Sequence, residues 1–348
     1  MLCGCSRGRE VHEQLVIQGI AIDKENDGYI LTAQAYDFQS PKDEKEPSVR
    51  VIEVSGETLL EALQNITQKT SLTPIYSQNT VILMGESVAK SGVNDFIDFF
   101  IRHCEARPKV KICACKGSAS HALKIKQGEK AFKAQNINDL IPDELCSDVM
   151  HFVGDVRGGI SDPYVALIDV SEDTGAMLIG VSVFHEDEIA CSLVGEDLFG
   201  FMLIKGVPHF GSCIVSDEFF GEVTCTPEKA SAKIWSELRE NMYPIFKINL
   251  NINMAAFSFD HKSKGERTED DVQRLRAKLE CEVQNILQKT LAKIISAGSD
   301  ALGFGKILRN MHLEYFKKLD GNWKNIMSKC DYEITQKSNL KITGKEIV

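Results

Sequence analysis

Four residues at the start of the chain, Leu2-Cys3-Gly4-Cys5, have the types and spacing of a bacterial lipobox. The thiol of Cys5 can form a thioether with diacylglycerol, and the small side chains at Cys3 and Gly4 suit a peptidase that cuts just before it. Acyl chains contribute about 0.8 kcal/mol per buried methylene, and two chains anchor stably where one does not. A secretory leader carries a basic segment and an apolar stretch of about 7 to 15 residues. Only Met1 and Leu2 precede the motif, so either translation starts upstream of Met1, or the chain has been trimmed, or the motif is accidental.

The remaining groups of reactive side chains leave every catalytic pattern incomplete. His12-Glu13 and His185-Glu186 lack the second histidine of H-E-x-x-H, so a zinc-peptidase helix face cannot form. Ser118-Ala119-Ser120-His121 sets serine beside histidine without a G-x-S-x-G elbow. Glu186, Asp187 and Glu188 read as a solvated turn. Cys113 and Cys115 form a C-x-C within a strand over 109–115, on the face opposite Val110 and Ile112. No C-x-x-C accompanies them, so they read as small apolar side chains rather than as metal or redox groups.

The segment Gly298-Ser299-Asp300-Ala301-Leu302-Gly303 has the two glycines of a P-loop, but Phe304 stands where a lysine must reach phosphates. It also follows a helix instead of a strand. It reads as a helix stop at Gly298, an N-cap at Asp300, and a tight Gly303-Phe304-Gly305 segment that lets two backbones approach and buries Phe304. Asp300, Gly303, Phe304 and Gly305 are therefore candidate structural residues. No catalytic residue, metal site or cofactor is expected.

These residues need a sizeable scaffold. At 348 residues the chain exceeds the usual growth limit of one core, so two or three domains are expected. A net charge of -10 opposes general binding to nucleic acid or anionic lipid, which leaves covalent or protein-mediated attachment to a membrane. No run approaches the roughly 20 apolar residues of a spanning helix.

Residues 11–22 and 29–36 read as a β-hairpin turning at Lys24 to Gly28, and 40–47 as an exposed loop. A strand over 49–54 leads to a helix whose face carries Leu59, Leu60, Leu63 and Ile66. A strand over 80–84 and a helix over 93–101 follow. Residues 116–163 suggest short helices and a loop, with the turn-rich part at 153–159. Strands are expected over 164–170, 176–184 and 188–193, and a helix over 196–204. Phe246, Ile248, Leu250, Ile252 and Met254 alternate with polar residues, the signature of a strand in an antiparallel sheet. Thr268 with Asp271 resembles a capping box for a long helix ending at Gly298. A further helix from Asp300 to about Leu319 and a strand over 332–342 complete an α+β chain.

In sequence order, several segments together resemble the Ger(x)C lipoproteins, the C subunits of spore germinant receptors. Cys5-Ser6-Arg7-Gly8-Arg9-Glu10 stands where the family has cysteine, often Trp-Asp, then a basic residue and Arg-Glu. Gly19-Ile20-Ala21-Ile22-Asp23 is similar to the family's Gly-Ile-Gly-Ile-Asp. Gly56-Glu57-Thr58, Ala62-Leu63, Arg107-Pro108 and Val183-Phe184 match further along, and Asp300-Ala301-Leu302-Gly303-Phe304-Gly305 matches its D-x-x-G-F-G. Ser6 departs from the usual tryptophan, and Gln78 from a common histidine.

The resemblance implies an α+β fold of several small domains, mostly antiparallel or mixed sheets with helices, and a long helix against a sheet at the C-terminal end. It implies a lipobox over 1–5, an N-terminal germination-protein domain over 6–205 with a candidate split near 115, and a C-terminal one over 206–348. It further implies a non-enzymatic lipoprotein anchored through Cys5 outside the cytoplasm on the inner spore membrane. Its partners would be the A and B membrane subunits of the receptor, with no nucleic acid and no cofactor. The alternative is a lipid-anchored solute-binding protein that captures the small-molecule germinant directly.

Overall fold

The computed structural model describes residues 13–37, 48–102, 107–125, 133–145, 147–208, 210–240, 242–259 and 268–342. The chain divides into two compact units. One comprises the residues up to 157 with 164–182 and 187–189; the other comprises 158–163, 183–186 and the chain from 190 onward.

The first unit opens with the hairpin β1 (Gln14–Glu25) and β2 (Gly28–Asp37), paired antiparallel. Its two-residue turn is made possible by Asn26, whose φ of 53° is one that asparagine tolerates. β3 (Ser48–Gly56) adds to β2, and α1 (Leu59–Thr70) starts where the Thr58 side chain accepts the amide of Glu61. Leu59, Ala62 and Ile66 form its buried stripe, whereas Leu60 is exposed. β4 (Thr73–Ile75) and β5 (Val81–Gly85) both run parallel to β1. Every residue of β5 is buried, as a parallel strand covered on both faces requires.

Helices α2 (Glu86–Lys90) and α3 (Asn94–Arg102) follow; α3 buries Phe96, Ile97, Phe99 and Phe100. β6 (Lys111–Cys115) lies parallel to β5. Cys113 and Cys115 belong to one apolar cluster with Val81, Leu83, Ala122 and Ile137. Neither forms a disulfide, and the Cys113 thiol donates to the Ile82 carbonyl. Next come α4 (Ala119–Lys124), α5 (Lys133–Leu140), β7 (Ser147–Asp148), α6 (Val149–Gly158), β8 (Tyr164–Ser171), β9 (Gly175–His185) and β10 (Glu188–Val194). The sheet order is β10-β9-β8-β6-β5-β1-β2-β3, with β4 beside β1 and β7 beside β6.

The second unit takes in the last residues of β9 and most of β10 and continues with α7 (Glu196–Ile204), β11 (Cys213–Asp217), β12 (Gly221–Glu237), β13 (Ile245–Phe259) and α8 (Glu269–Ser296). Thr268 and Asp271 form a reciprocal capping box at the start of α8. Leu275, Leu279, Val283, Ile286, Leu287, Leu291 and Ile294 are its buried stripe. α9 (Phe304–Met311), α10 (Leu313–Lys318), α11 (Trp323–Met327) and β14 (Asp331–Ile342) complete the unit. Its sheet runs β11-β12-β13-β14, with β13 antiparallel to β12 and parallel to β14. The architecture is α+β with mixed sheets.

Three elements differ from the sequence reading. The turn-rich stretch 153–159 lies mostly in α6. The Asp148 carboxylate caps that helix by accepting the His151 amide, Phe152 anchors it in the core, and Gly159, at φ 62°, ends it. The helix expected over 300–319 is two helices that meet at His312, whose φ of -136° and ψ of 58° are not helical. The β14 edge of the alternating strand β13 is parallel rather than antiparallel.

Candidate functional site

The D-x-x-G-F-G residues meet at the turn that follows α8. The helix stops because Gly298 takes φ 73°, and the chain turns again at Gly303, φ 78°, before α9 begins. Asp300 lies between these turns with no exposed surface. Its carboxylate accepts the amides of Phe304 (2.7 Å) and Gly305 (2.8 Å) and the indole N–H of Trp323 (3.0 Å). The N-cap position belongs to Gly303, so Asp300 supplies the capping oxygens from three residues further back.

A second buried carboxylate joins this arrangement. Asp162 accepts the Asp300 amide (2.7 Å) on one oxygen and the Glu186 amide (2.9 Å) on the other. Its own amide donates to the Asp300 carbonyl at 3.2 Å. Lys324 forms an ion pair with Asp162, and His185 Nδ1 lies 3.9 Å from it. Burial pushes the Asp300 carboxyl up to about 7, against the hydrogen bonds of Gly305, Trp323 and Phe304 and the charge of Lys324, all of which favour its ionised form.

Gly305 is glycine for steric reasons: a Cβ there would overlap the Ile160 carbonyl oxygen and the Trp323 indole. Phe304 is fully buried and sits 4.9 Å from the Phe246 ring and 5.0 Å from that of Tyr332. Trp323 closes the cluster at 5.8 Å from Phe246. The Tyr332 hydroxyl donates to the Met327 carbonyl, and burial raises it above its ordinary range. Each oxygen of the two carboxylates is thus committed to a partner within the unit. The arrangement joins the 158–163 segment, the 298–305 turn and α11.

Asp300, Gly303, Phe304 and Gly305 are brought together in this way, while Cys5 and His12 lie outside the described residues. The Ser118 hydroxyl lies 3.0 Å from Asp23, whose carboxylate also accepts the amides of Ala119 and Ser120, both at 2.8 Å. His121 is exposed on α4. Among the described residues, no group of three or more His, Cys, Asp or Glu side chains is placed to hold a metal ion, and no helix is long and apolar enough to cross a membrane. Sequence reasoning missed Asp162, Lys324 and Trp323. No local pattern marks them, because each is selected by a buried partner from a distant segment: Asp162 by the Asp300 amide, Lys324 by Asp162 and Trp323 by the Asp300 carboxylate.

It also missed Asp217, at the end of β11. This carboxylate is fully buried and accepts from Arg274 (3.0 and 3.2 Å), Lys278 (3.1 Å) and the amide of Phe219 (2.8 Å). Burial alone would raise it, but the hydrogen bonds of Arg274, Phe219 and Lys278 outweigh burial and hold it well below the usual carboxylate range. In the first unit, an open depression of about 460 Å³ is lined by Glu25, Asn26, Tyr29, Glu57, Glu61 and Asn65, among others.

Two successive stretches of the chain match families of spore germination proteins. Residues 7–170 match the family described as spore germination protein N-terminal domain, and residues 179–344 the family described as spore germination B3/GerAC like, C-terminal. The chain is similar to spore germination protein B3 of Bacillus subtilis (strain 168), with 24% identity over 360 residues, covering 95% of this chain and 92% of that protein. Its fold is similar to the crystal structure of the GerBC protein, with a TM-score of 0.62 and 20% identity over 94% of this chain and 97% of the other.

Proposed function

This chain belongs to the Ger(x)C family of spore germination proteins, and from that premise we propose that it is the lipid-anchored, non-enzymatic C subunit of a nutrient germinant receptor. In this reading Cys5 carries the lipid and holds the protein outside the cytoplasm against the inner spore membrane. The protein then works by contact with the A and B membrane subunits. The observation that carries the reading is the pair of germination-protein domains matched in order along the chain, over 7–170 and 179–344. The inward commitment of Asp300 and Asp162 supports it, because the carboxylates of this polar cluster are spent on holding the fold together.

The test has two arms. Cells expressing the full gene product are fed labelled palmitate, and label should enter the wild type but not Cys5→Ala. Spores carrying only Cys5→Ala should then respond poorly to nutrients while the variant chain still folds. Absence of label in the wild type sinks the anchor, and normal nutrient response of spores lacking the gene sinks the receptor role.

One observation favours the second reading, direct capture of the germinant: the depression beside Glu25, Glu57 and Glu61 offers three carboxylates to a cationic solute. Calorimetry with amino acids, sugars and nucleosides separates the two readings. Saturable heat with an amine-bearing nutrient, lost in Glu57→Gln, would replace the contact-only role.

A further inference from the structure

Cys213 opens β11, and Cys225 stands directly opposite it in β12. The strands are antiparallel, and the alternation of burial sends Cys213, Val215 and Asp217 inward from β11 and Val223 and Cys225 inward from β12. Both cysteines are free and buried. Opposed residues of an antiparallel pair have Cα atoms about 4.5 to 5.5 Å apart. That spacing lies inside the roughly 4.4 to 6.8 Å window of a disulfide.

The two thiols also perturb each other: hydrogen bonding with Cys225 and burial raise the Cys213 thiol, with the charge of Glu282 of α8 adding to the rise, while hydrogen bonding with Cys213 lowers the Cys225 thiol against burial, which raises it. β11 is a five-residue edge strand, with β12 as its one neighbour in the sheet. Its far end is fixed by Asp217 to Arg274 and Lys278. The cysteine end is where such a strand opens first, because edge strands and strand ends have the lowest local stability.

We propose that Cys213 and Cys225 form a dithiol–disulfide site, oxidised by a small-molecule disulfide when β11 frays, and that the bond staples the edge strand to β12. The Cys225 thiolate attacks one sulfur of the oxidant, breaking its S–S bond and expelling one thiolate to leave a mixed disulfide. The Cys213 thiolate then attacks the Cys225 sulfur and expels the second. Two electrons pass from the protein to the oxidant, and the two thiol protons end on the two small thiols released. The site depends on strand register alone and is independent of the lipid anchor.

The test uses the full, reduced chain under native conditions with glutathione disulfide, followed by quenching with N-ethylmaleimide and peptide mapping by mass spectrometry. The expected product is a peptide pair joined through Cys213 and Cys225. The oxidised protein should melt about 5 °C higher, because the bond restricts the unfolded chain, and dithiothreitol should reverse the shift. Cys213→Ser and Cys225→Ser, whose folding is checked by circular dichroism, should each lose both the linked peptide and the shift. Recovery of both cysteines as maleimide adducts after oxidant treatment overturns the proposal, as does a linked peptide that forms only in denaturant.

Discussion

Asp162 and Asp300 exchange two hydrogen bonds across 138 residues of sequence: the Asp300 amide donates to the Asp162 carboxylate at 2.7 Å, and the Asp162 amide donates to the Asp300 carbonyl at 3.2 Å. Two segments far apart in the chain are thereby fixed in register by groups that have no other way to be satisfied when buried. The pairing makes the D-x-x-G-F-G turn a structural keystone of the second unit, and its energetics can be read by mutation.

Asp300 should make the second unit less tolerant of rising pH. Its folded value is raised from 3.8 to about 7, so the native state holds the proton more tightly than the unfolded chain. The stabilisation from that proton is complete below about pH 4 and is lost as the pH climbs through about 7. Asp300→Asn removes this slope. Urea midpoints measured from pH 4 to 8 should therefore fall more steeply in the wild type than in Asp300→Asn. Asp300→Ala also strands the Phe304 and Gly305 amides and the Trp323 N–H, at a cost of about 3 kcal/mol or more.

Gly305 and Gly303 should differ in sensitivity although both are glycines of one motif. At Gly305 a methyl group meets the Ile160 carbonyl and the Trp323 ring, two groups that cannot move aside cheaply. At Gly303 the space is open and only the positive φ resists a side chain. Gly305→Ala should cost about 3 kcal/mol by overpacking. Gly303→Ala should cost about 1 kcal/mol through backbone strain. Thermal melts that rank the two the other way would remove the close-approach argument.

Asp217 should show the opposite pH behaviour from Asp300. Its folded value lies well below 3.8, so its stabilisation is present above about pH 4 and disappears as the pH falls through the folded value. Asp217→Asn should lose about 2 kcal/mol at neutral pH, where the buried carboxylate accepts from two cations and two amides. Acid titrations of wild type and variant should then converge below pH 4. A constant gap down to strong acid would contradict the assignment.

Asp23 should matter to the first unit as the capping group of α4. Asp23→Ala leaves the Ala119 and Ser120 amides without their acceptor, and a loss of about 2 kcal/mol is expected. Gly85→Ala should act on the same group, since a Cβ there overlaps the Asp23 carboxylate. Hydrogen exchange at Ala119 and Ser120 should quicken in both variants.

The fold was legible where a local pattern carries the answer. Alternation over 246–254 marks β13, and the Thr268–Asp271 box marks the start of α8, because each is a short-range relation. β11 and β12 were not legible. β12 alternates small and charged residues such as Lys229, Ser231 and Lys233, carries Pro227 at a register shift, and is held by 14 partners in β13 rather than by its own hydrophobicity. At the site, Gly303 and Gly305 are readable from their types, since close approach and positive φ demand glycine. Asp162 and Lys324 are not, because what selects them is a buried partner supplied by another segment.

The parallel pairing of β14 with β13 also has a consequence in time. Residues 331–342 cover residues 245–256 along their whole length, and α8 is tied to the same strand through Arg276 to Ser338 and Gln284 to Ile334. During synthesis the ribosome delivers each β13 residue 86 positions before its β14 partner, so that edge waits open until the last strand emerges. A message cut short before residue 331 yields a chain with twelve consecutive β13 positions unpaired, a template for joining one truncated copy to the next.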